Sequence, residues 1–169
     1  MRQTRVFVLA ATLVLAAIGC GKAPPRAPNP TKPISERRAV EVIARGIKKE
    51  KLSAEDGRDV KTVSGALVHL DVGVRDRKFG IAYLTENDLA RDDADKLPTK
   101  DPKRPRALVL AEGAGKGEGE TKILILFDRD YLYDDQVGEE HEQTSITAEA
   151  ALERDVRDFV VQAKANKWE

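Results

Sequence analysis

The sequence predicts an α+β domain in which one helix near each end packs against an antiparallel sheet of about four strands. Three patterns support this fold class. Apolar residues recur with a helical period near both ends of the domain, alternate with period two in its first half, and form two continuous runs in its second half. Short connections between consecutive strands favour antiparallel pairing, and the flanking helices would then cover the sheet.

The first predicted helix spans residues 36–49, with Ser35 as its N-cap. At 100° per residue, one face collects the apolar side chains of Ala39, Val40, Val42, Ile43, Ala44 and Ile47. The opposite face collects Arg37, Arg38, Arg45, Lys48 and Lys49. A basic face also suits a membrane surface, but the apolar face lacks the Trp or Phe of an interfacial anchor. We therefore favour packing on the sheet.

Two alternating segments predict the first half of the sheet. Residues 60–74 place one set of apolar side chains on a single face, namely Ala66, Val68, Leu70, Val72 and Val74. This pattern predicts one long strand that follows a turn at residues 55–57. A charged turn at residues 75–78 and a second alternation at Phe79, Ile81 and Tyr83 then predict a hairpin.

The second half of the sheet is predicted from two apolar runs, at residues 107–112 and 121–127. Before them, residues 85–88 can cap a short helix. Residues 97–106 hold three prolines and four basic residues, which predicts an exposed loop.

The last predicted helix spans residues 148–164, capped by Thr147 or Ser145. Its apolar face consists of Leu152, Val156, Phe159, Val160 and Ala163. Trp168 follows the helix and either closes over the core or lies exposed.

The N-terminal segment has the pattern of a secretion signal. Arg2 and Arg5 precede an apolar run at residues 6–18, which is too short to span the roughly 30 Å of a bilayer core. The run ends in Ala17-Ile18-Gly19-Cys20, and Cys20 is the only cysteine of the chain. This arrangement resembles the lipobox of bacterial lipoproteins. The alternative is an ordinary secretory signal with a coincidental cysteine.

The resemblance implies cleavage before Cys20 and a diacylglyceryl thioether on its sulfur. Lipoproteins of this kind carry two or three acyl chains, which together bind a membrane stably. Gly21 stands where an Asp would signal retention in the inner membrane, so the resemblance implies the outer membrane. The mature protein would face the periplasm, with exposure at the cell surface as an alternative.

Three segments follow from this prediction: a signal peptide at residues 1–19, a lipidated tether at 20–34 and one domain at 35–169. The tether holds the five prolines Pro24, Pro25, Pro28, Pro30 and Pro33, which favour an extended polyproline conformation. At about 3.1 Å per residue, its last thirteen residues would span about 40 Å.

The charge balance argues against nucleic acid as a partner. Removing Arg2 and Arg5 with the signal leaves 27 basic and 29 acidic residues, a net charge of −2. A nucleic-acid-binding domain of this size is usually strongly basic.

A glycine-rich segment at residues 112–119 resembles a phosphate-binding loop only superficially. Its glycines fit neither a Gly-Lys-Ser/Thr loop nor a G-x-G-x-x-G frame, and it leads into a strand rather than a helix. A flexible hairpin connection is the better interpretation, and we expect no cofactor.

The acidic, irregular segment at residues 128–143 contains the weak metal-ligand candidates. Asp128, Asp130 and Glu139 match the first, third and twelfth positions of a calcium loop. Leu132 and Tyr133 occupy the fifth and sixth, where an oxygen ligand and a glycine belong. A solvated acidic loop that binds no ion is therefore favoured.

The two histidines do not form a recognisable catalytic motif. His141 lacks the second histidine of a zinc-protease helix, and His69 belongs to the solvent-facing side of the long predicted strand. Ser64 is not part of a G-x-S-x-G elbow, although a dispersed triad stays open.

Two functions follow as hypotheses. The first is a non-enzymatic lipoprotein, anchored in the bilayer through Cys20, whose domain binds a protein or another envelope component. The second is a small hydrolase or metal-dependent enzyme that uses His141 with carboxylates of residues 128–142. An enzyme requires those groups to converge in a concave pocket. Tyr131 and Tyr133 would either join a contact surface or cover the sheet edge.

Overall fold

The computed structural model describes residues 29–114, 121–134 and 143–168. The α+β class is confirmed, with a five-stranded mixed sheet, a two-stranded antiparallel sheet and two long helices. The elements in chain order are β1 (Thr31–Pro33), α1 (Glu36–Lys49), β2 (Ala54–Lys61), β3 (Leu67–Val74), β4 (Phe79–Leu84), α2 (Glu86–Leu89), β5 (Val109–Glu112), β6 (Lys122–Phe127), β7 (Leu132–Asp134) and α3 (Ser145–Ala165).

The large sheet has the strand order β2-β3-β4-β6-β5. Its neighbours are antiparallel except β4 and β6, which run parallel from Phe79↔Lys122 to Leu84↔Phe127. The predicted antiparallel sheet of about four strands is therefore matched only roughly, since the large sheet has five strands and one of its pairs is parallel. The physical reason is burial: β4 is buried on both faces, so it takes the most apolar remaining strand as its second neighbour.

The segment predicted as one long strand is two strands. β2 ends at Lys61, and a turn containing Gly65, at φ 93°, leads into β3. The turn predicted at residues 55–57 lies inside β2. Gly57 is required there because a Cβ would lie 1.7 Å from the carbonyl oxygen of Leu70.

The outer strands β2 and β5 meet at one corner, so the sheet curls toward a barrel. Thr62 and Gly113 form an antiparallel bridge, the amide of Val63 donates to Glu112 at 2.8 Å, and the amide of Ala114 donates to Lys61 at 2.7 Å. The curl encloses an apolar cluster formed by Val60, Val68, Leu70, Ala82, Leu84, Val109, Ala111, Ile123, Ile125 and Phe127.

The main core lies between the other face of the sheet and the two long helices. The apolar face of α1 is buried, as the sheet-packing interpretation predicts, and the predicted apolar face of α3 is also confirmed. Phe159 meets Phe79 of β4 edge-on at 5.6 Å and Trp168 at 5.9 Å between ring centroids. Trp168 thus closes over the core.

The helix caps differ in detail from the predictions. Ser35 precedes α1 in an extended conformation but makes no side-chain cap bond. α3 begins at Ser145, three residues earlier than predicted, and its cap is Thr144, whose hydroxyl accepts the amide of Thr147 at 3.1 Å. The predicted caps Thr147 and Ser145 were wrong. The predicted short helix is confirmed as α2.

The basic side of α1 pairs with carboxylates of α3. Arg38 donates to both carboxylate oxygens of Glu149 at 2.8 Å, and Arg45 donates to Glu153 at 2.7 Å. The hydrogen bond from Arg38 holds the pKa of Glu149 below its usual range. This stabilisation is present above the pKa of an unfolded glutamate, about 4.3, and is lost as the pH falls through the lower folded pKa.

The end of the predicted tether is part of the domain. β1 pairs with β7, the amide of Ile34 donates to the carbonyl of Tyr131 at 3.2 Å, and the Tyr83 hydroxyl donates to the carbonyl of Ile34 at 2.8 Å. Ile34 is 3% exposed. Residues 31–34, which the sequence analysis assigned to the tether, therefore pack as part of the folded domain.

A chain beginning at Ser35 should melt several degrees below one beginning at Asn29. Burial of Ile34 contributes about 1.5–3 kcal/mol, and a domain of this size shifts its Tm by roughly 3–5 °C per kcal/mol. Thermal denaturation followed by circular dichroism measures this. Thr31→Ala, at an exposed position of the same strand, is the control and should leave the Tm unchanged. Equal melting of the two chains would show that β1 adds no stability.

Phe159→Ala should cost about 3–5 kcal/mol through lost transfer free energy and a cavity against Phe79. Val161, on the same helix, is 52% exposed. Val161→Ala should therefore change stability by less than about 1 kcal/mol. Urea denaturation of both variants tests the packing of α3, and a larger loss for Val161→Ala would contradict it.

Candidate binding groove

A groove of about 570 Å³ lies between the β5 edge of the sheet and helix α3. Leu108 and Leu124 form its apolar floor, while Ala151 and Asp155 belong to its helical wall. The groove exists because α1 packs over β3 and β4, so that the short strand β5 lies at the margin of the helical layer. Leu108 is accordingly only partly buried against the main core.

The outer edge of β5 offers unpaired backbone groups to this region. The amide of Gly113 donates to Thr121, so the alternation of an antiparallel ladder makes Ala111 and Val109 the next hydrogen-bonded residues. The N–H and C=O of Leu110 therefore point away from β6. Within the described residues, no backbone or side-chain group hydrogen-bonds to them.

A second recess, of about 410 Å³, borders the other half of the same edge. Leu110 and Ala111 form one side, and Val63 and Leu97 belong to the opposite side. Val63 is 69% exposed, an apolar side chain left in water beside an open strand edge. The edge of β5 thus lies between two depressions with apolar walls.

The charged groups of the groove are largely engaged with one another. The Tyr131 hydroxyl donates to Asp155 at 2.9 Å, and burial raises the pKa of that hydroxyl above its usual range. Arg154 donates to Asp155, and Lys100 pairs with Asp130 at 2.7 Å. Such paired groups are poorly placed for acid–base catalysis, whereas an apolar floor with an open backbone edge suits a polypeptide.

The predicted metal candidates are only partly within the described residues. Asp128 is 5% exposed, and its Oδ1 has no hydrogen-bond partner in the described part of the chain. Asp130 pairs with Lys100, and Glu139 and His141 lie outside the described residues. Among residues 29–114, 121–134 and 143–168, no cluster of three or more His, Cys, Asp or Glu is arranged to hold a metal ion.

The two tyrosines predicted to join a contact surface or cover an edge have different positions. Tyr131 is buried and stacks near Tyr83 at 6.3 Å between ring centroids. Tyr133 lies in β7, pairs with Lys32 of β1 and carries the Lys32 ammonium 5.3 Å from its ring centroid. Both therefore secure the small sheet.

Asp71 is a partly buried carboxylate that the sequence analysis did not single out as a candidate site residue. It is half-buried, and its carboxylate accepts the amide of Tyr83 at 2.7 Å, in place of a backbone ladder bond. Burial raises its pKa, while the bond from Tyr83 lowers it. The signal in the sequence is a single acid within an apolar alternation.

His69 and Asp71 both line a small cavity of about 40 Å³. The Nδ1 of His69 lies 2.7 Å from Asp59 Oδ1, and both side chains are exposed. No Ser, Thr or Cys is among the described residues that line this cavity, so the pair lacks a nucleophile there. The described lining of this cavity therefore gives no support for a nucleophilic reaction there.

Two further observations bear on identity. None of the helices in the described ranges combines the length and apolar character needed to cross a bilayer. Comparison with protein-family models, curated proteins and solved structures gives no match. Cys20 and the glycine-rich residues 115–120 lie outside the described residues. The strands on either side of residues 115–120, β5 and β6, are antiparallel neighbours, as a hairpin requires.

Proposed function

We propose that this chain is a lipid-anchored envelope protein whose domain binds an extended polypeptide along the open edge of β5. The observation that carries the proposal is the outward-facing N–H and C=O of Leu110, set between two depressions. Adding a strand to such an edge satisfies these groups with main-chain hydrogen bonds, and the depressions take alternate side chains.

The titratable groups of the groove are hydrogen-bonded or ion-paired with one another, which favours binding over catalysis. Asp155 is shared by Tyr131 and Arg154, and Asp130 is held by Lys100. Arg106 and Asp158 border the groove without an ion-pair partner among the described residues. They would contact charged side chains of the bound segment at its rim.

The anchor would hold this groove close to the membrane. Ile34 donates to Tyr131, which lines the groove, so the tether joins the domain beside the binding site. Since β1 and Ile34 pack within the domain, the proposed tether would consist of residues 20–28. In a polyproline conformation these nine residues would reach about 28 Å.

Cys20→Ser should abolish lipidation and leave a longer, uncleaved precursor. The thioether requires the cysteine sulfur, and the resemblance to a lipobox implies that cleavage follows lipid transfer. Mass spectrometry of the membrane fraction measures the mass of the N-terminal peptide. Gly21→Ser, one residue later, is the matched control and should remain lipidated. An unmodified N-terminus cut elsewhere in the unaltered chain would overturn the anchor.

Partner contact at the groove can be tested with a photo-crosslinking amino acid at position 108. It should yield a discrete adduct in the native envelope, whereas the same amino acid at the exposed position 37 of α1 should not. Leu110→Pro should reduce the adduct at least tenfold, because it removes the outward N–H but keeps the ladder to β6.

Leu110→Ala is the matched control, since it also truncates the partly buried side chain but keeps the N–H. It should retain most of the adduct, and both variants should have similar melting temperatures. Equal loss of the adduct in the two variants would contradict recognition through the backbone edge.

A further inference from the structure

A separate recess lies at the end of the domain where α1 and α3 both terminate. It encloses about 220 Å³, and its charged lining consists of Arg77, Lys164 and Lys167. Trp168 and Phe79 supply aromatic walls. Among the described residues that line it there is no carboxylate, although Lys164 and Arg77 both interact with other groups of the protein.

Both helices end here with the same backbone motif. Lys51 and Lys167 have left-handed φ values of 61° and 54°, where glycine is usual because it lacks a Cβ. The amide of Trp168 donates to Ala163 at 3.1 Å, which closes the end of α3 and directs the indole ring over the core. The sequence thus keeps a cation at a position where glycine would cost less strain.

Helix polarity accounts for only some of these cations. Lysines at a helix C-terminus are favoured by its partial negative charge. Lys164 has that role, since its ammonium donates to the backbone carbonyl and the carboxylate of Glu50 at the end of α1. Lys122 approaches the Trp168 ring at 5.9 Å and pairs with Glu112. Lys167 has no ion-pair partner among the described residues, so within this part of the chain its charge is not compensated.

We propose that this recess binds a small anion, a phosphate or carboxylate group joined to a planar or apolar part that packs on Trp168. Lysine and arginine form charge-assisted hydrogen bonds with such oxygens, and the ring offers a flat apolar face. The volume equals that of about seven water molecules, enough for one anionic group and a small ring. The site is independent of the groove at β5 and of the anchor.

The experiment uses the full chain and the fluorescence of Trp168, its single tryptophan. Phenyl phosphate should change the emission with saturation, at concentrations at least tenfold lower than inorganic phosphate requires. Phenol, which lacks the charge, and potassium chloride at matched ionic strength should produce no saturating change. A response to phenyl phosphate that phenol or the salt reproduces would overturn the proposal.

Lys167→Gly removes the cation but keeps a residue suited to the left-handed backbone. It should weaken phenyl phosphate binding at least fivefold without lowering the Tm. Lys51→Gly makes the same change in the equivalent cap of α1, outside the recess lining, and should leave the affinity unchanged. Equal effects of the two variants, or no effect of either, would refute the site.

Two soluble anions distinguish the source of the ligand. Glycerol 3-phosphate represents the head group of an anionic lipid, and glucuronate represents an acidic sugar. Tighter binding of the first assigns the recess to phosphate-bearing head groups, and tighter binding of the second assigns it to acidic glycans. If glycerol 3-phosphate, glucuronate and phenyl phosphate all failed to bind saturably, the proposal that the recess binds an anion would be wrong.

Discussion

Burial of β4 on both faces is the constraint on which the rest of the architecture depends. Phe79, Ile81 and Tyr83 face the helices, and Ala82 and Leu84 face the interior of the curl. A strand in this position needs a hydrogen-bonded neighbour on each side and an apolar layer above and below. β3 and β6 supply the neighbours, and the helices and the curl supply the layers.

This arrangement also creates the candidate groove. Because β6 takes the place beside β4, β5 is displaced to the margin, where only its last residues are joined to β2. The backbone of Leu110 is left facing outward as a consequence of the register, and Leu108 is only partly covered. The open edge is therefore a product of how the two cores are filled.

Much of the fold could be predicted because the spacing of apolar residues along the sequence indicates which face of a helix or strand is buried. The faces of α1 and α3 and the hairpin of β3 with β4 follow from apolar spacing alone. β2 could not be predicted this way. It is an outer strand with mostly charged residues, and Gly57, which suggests a turn, is needed for close approach to Leu70. β1 could not be predicted either, because it is a short strand that depends on Ile34 and on pairing with the distant strand β7.

The candidate sites were less predictable than the fold. Sequence reasoning searches for titratable residues at known spacings, which drew attention to Asp128, Asp130 and Glu139. The β5 groove instead consists of backbone groups and ordinary apolar residues, which the strand order of the sheet brings together. Such a site leaves no spacing to recognise, because its specificity comes from register and from the absence of a neighbour.

The two proposed surfaces lie at different positions along α3, and the proposed anchor would give that arrangement a direction. Ile34 enters at the end of β4 marked by Tyr83, whereas the basic recess adjoins Phe79 at the other end. α1 runs between these ends, and its fourteen residues span about 21 Å. A tether entering beside Tyr131 would keep the β5 groove near the membrane and turn Trp168 and Lys167 away from it. One domain could then hold a polypeptide at the anchored end while its far end meets an anionic group beyond.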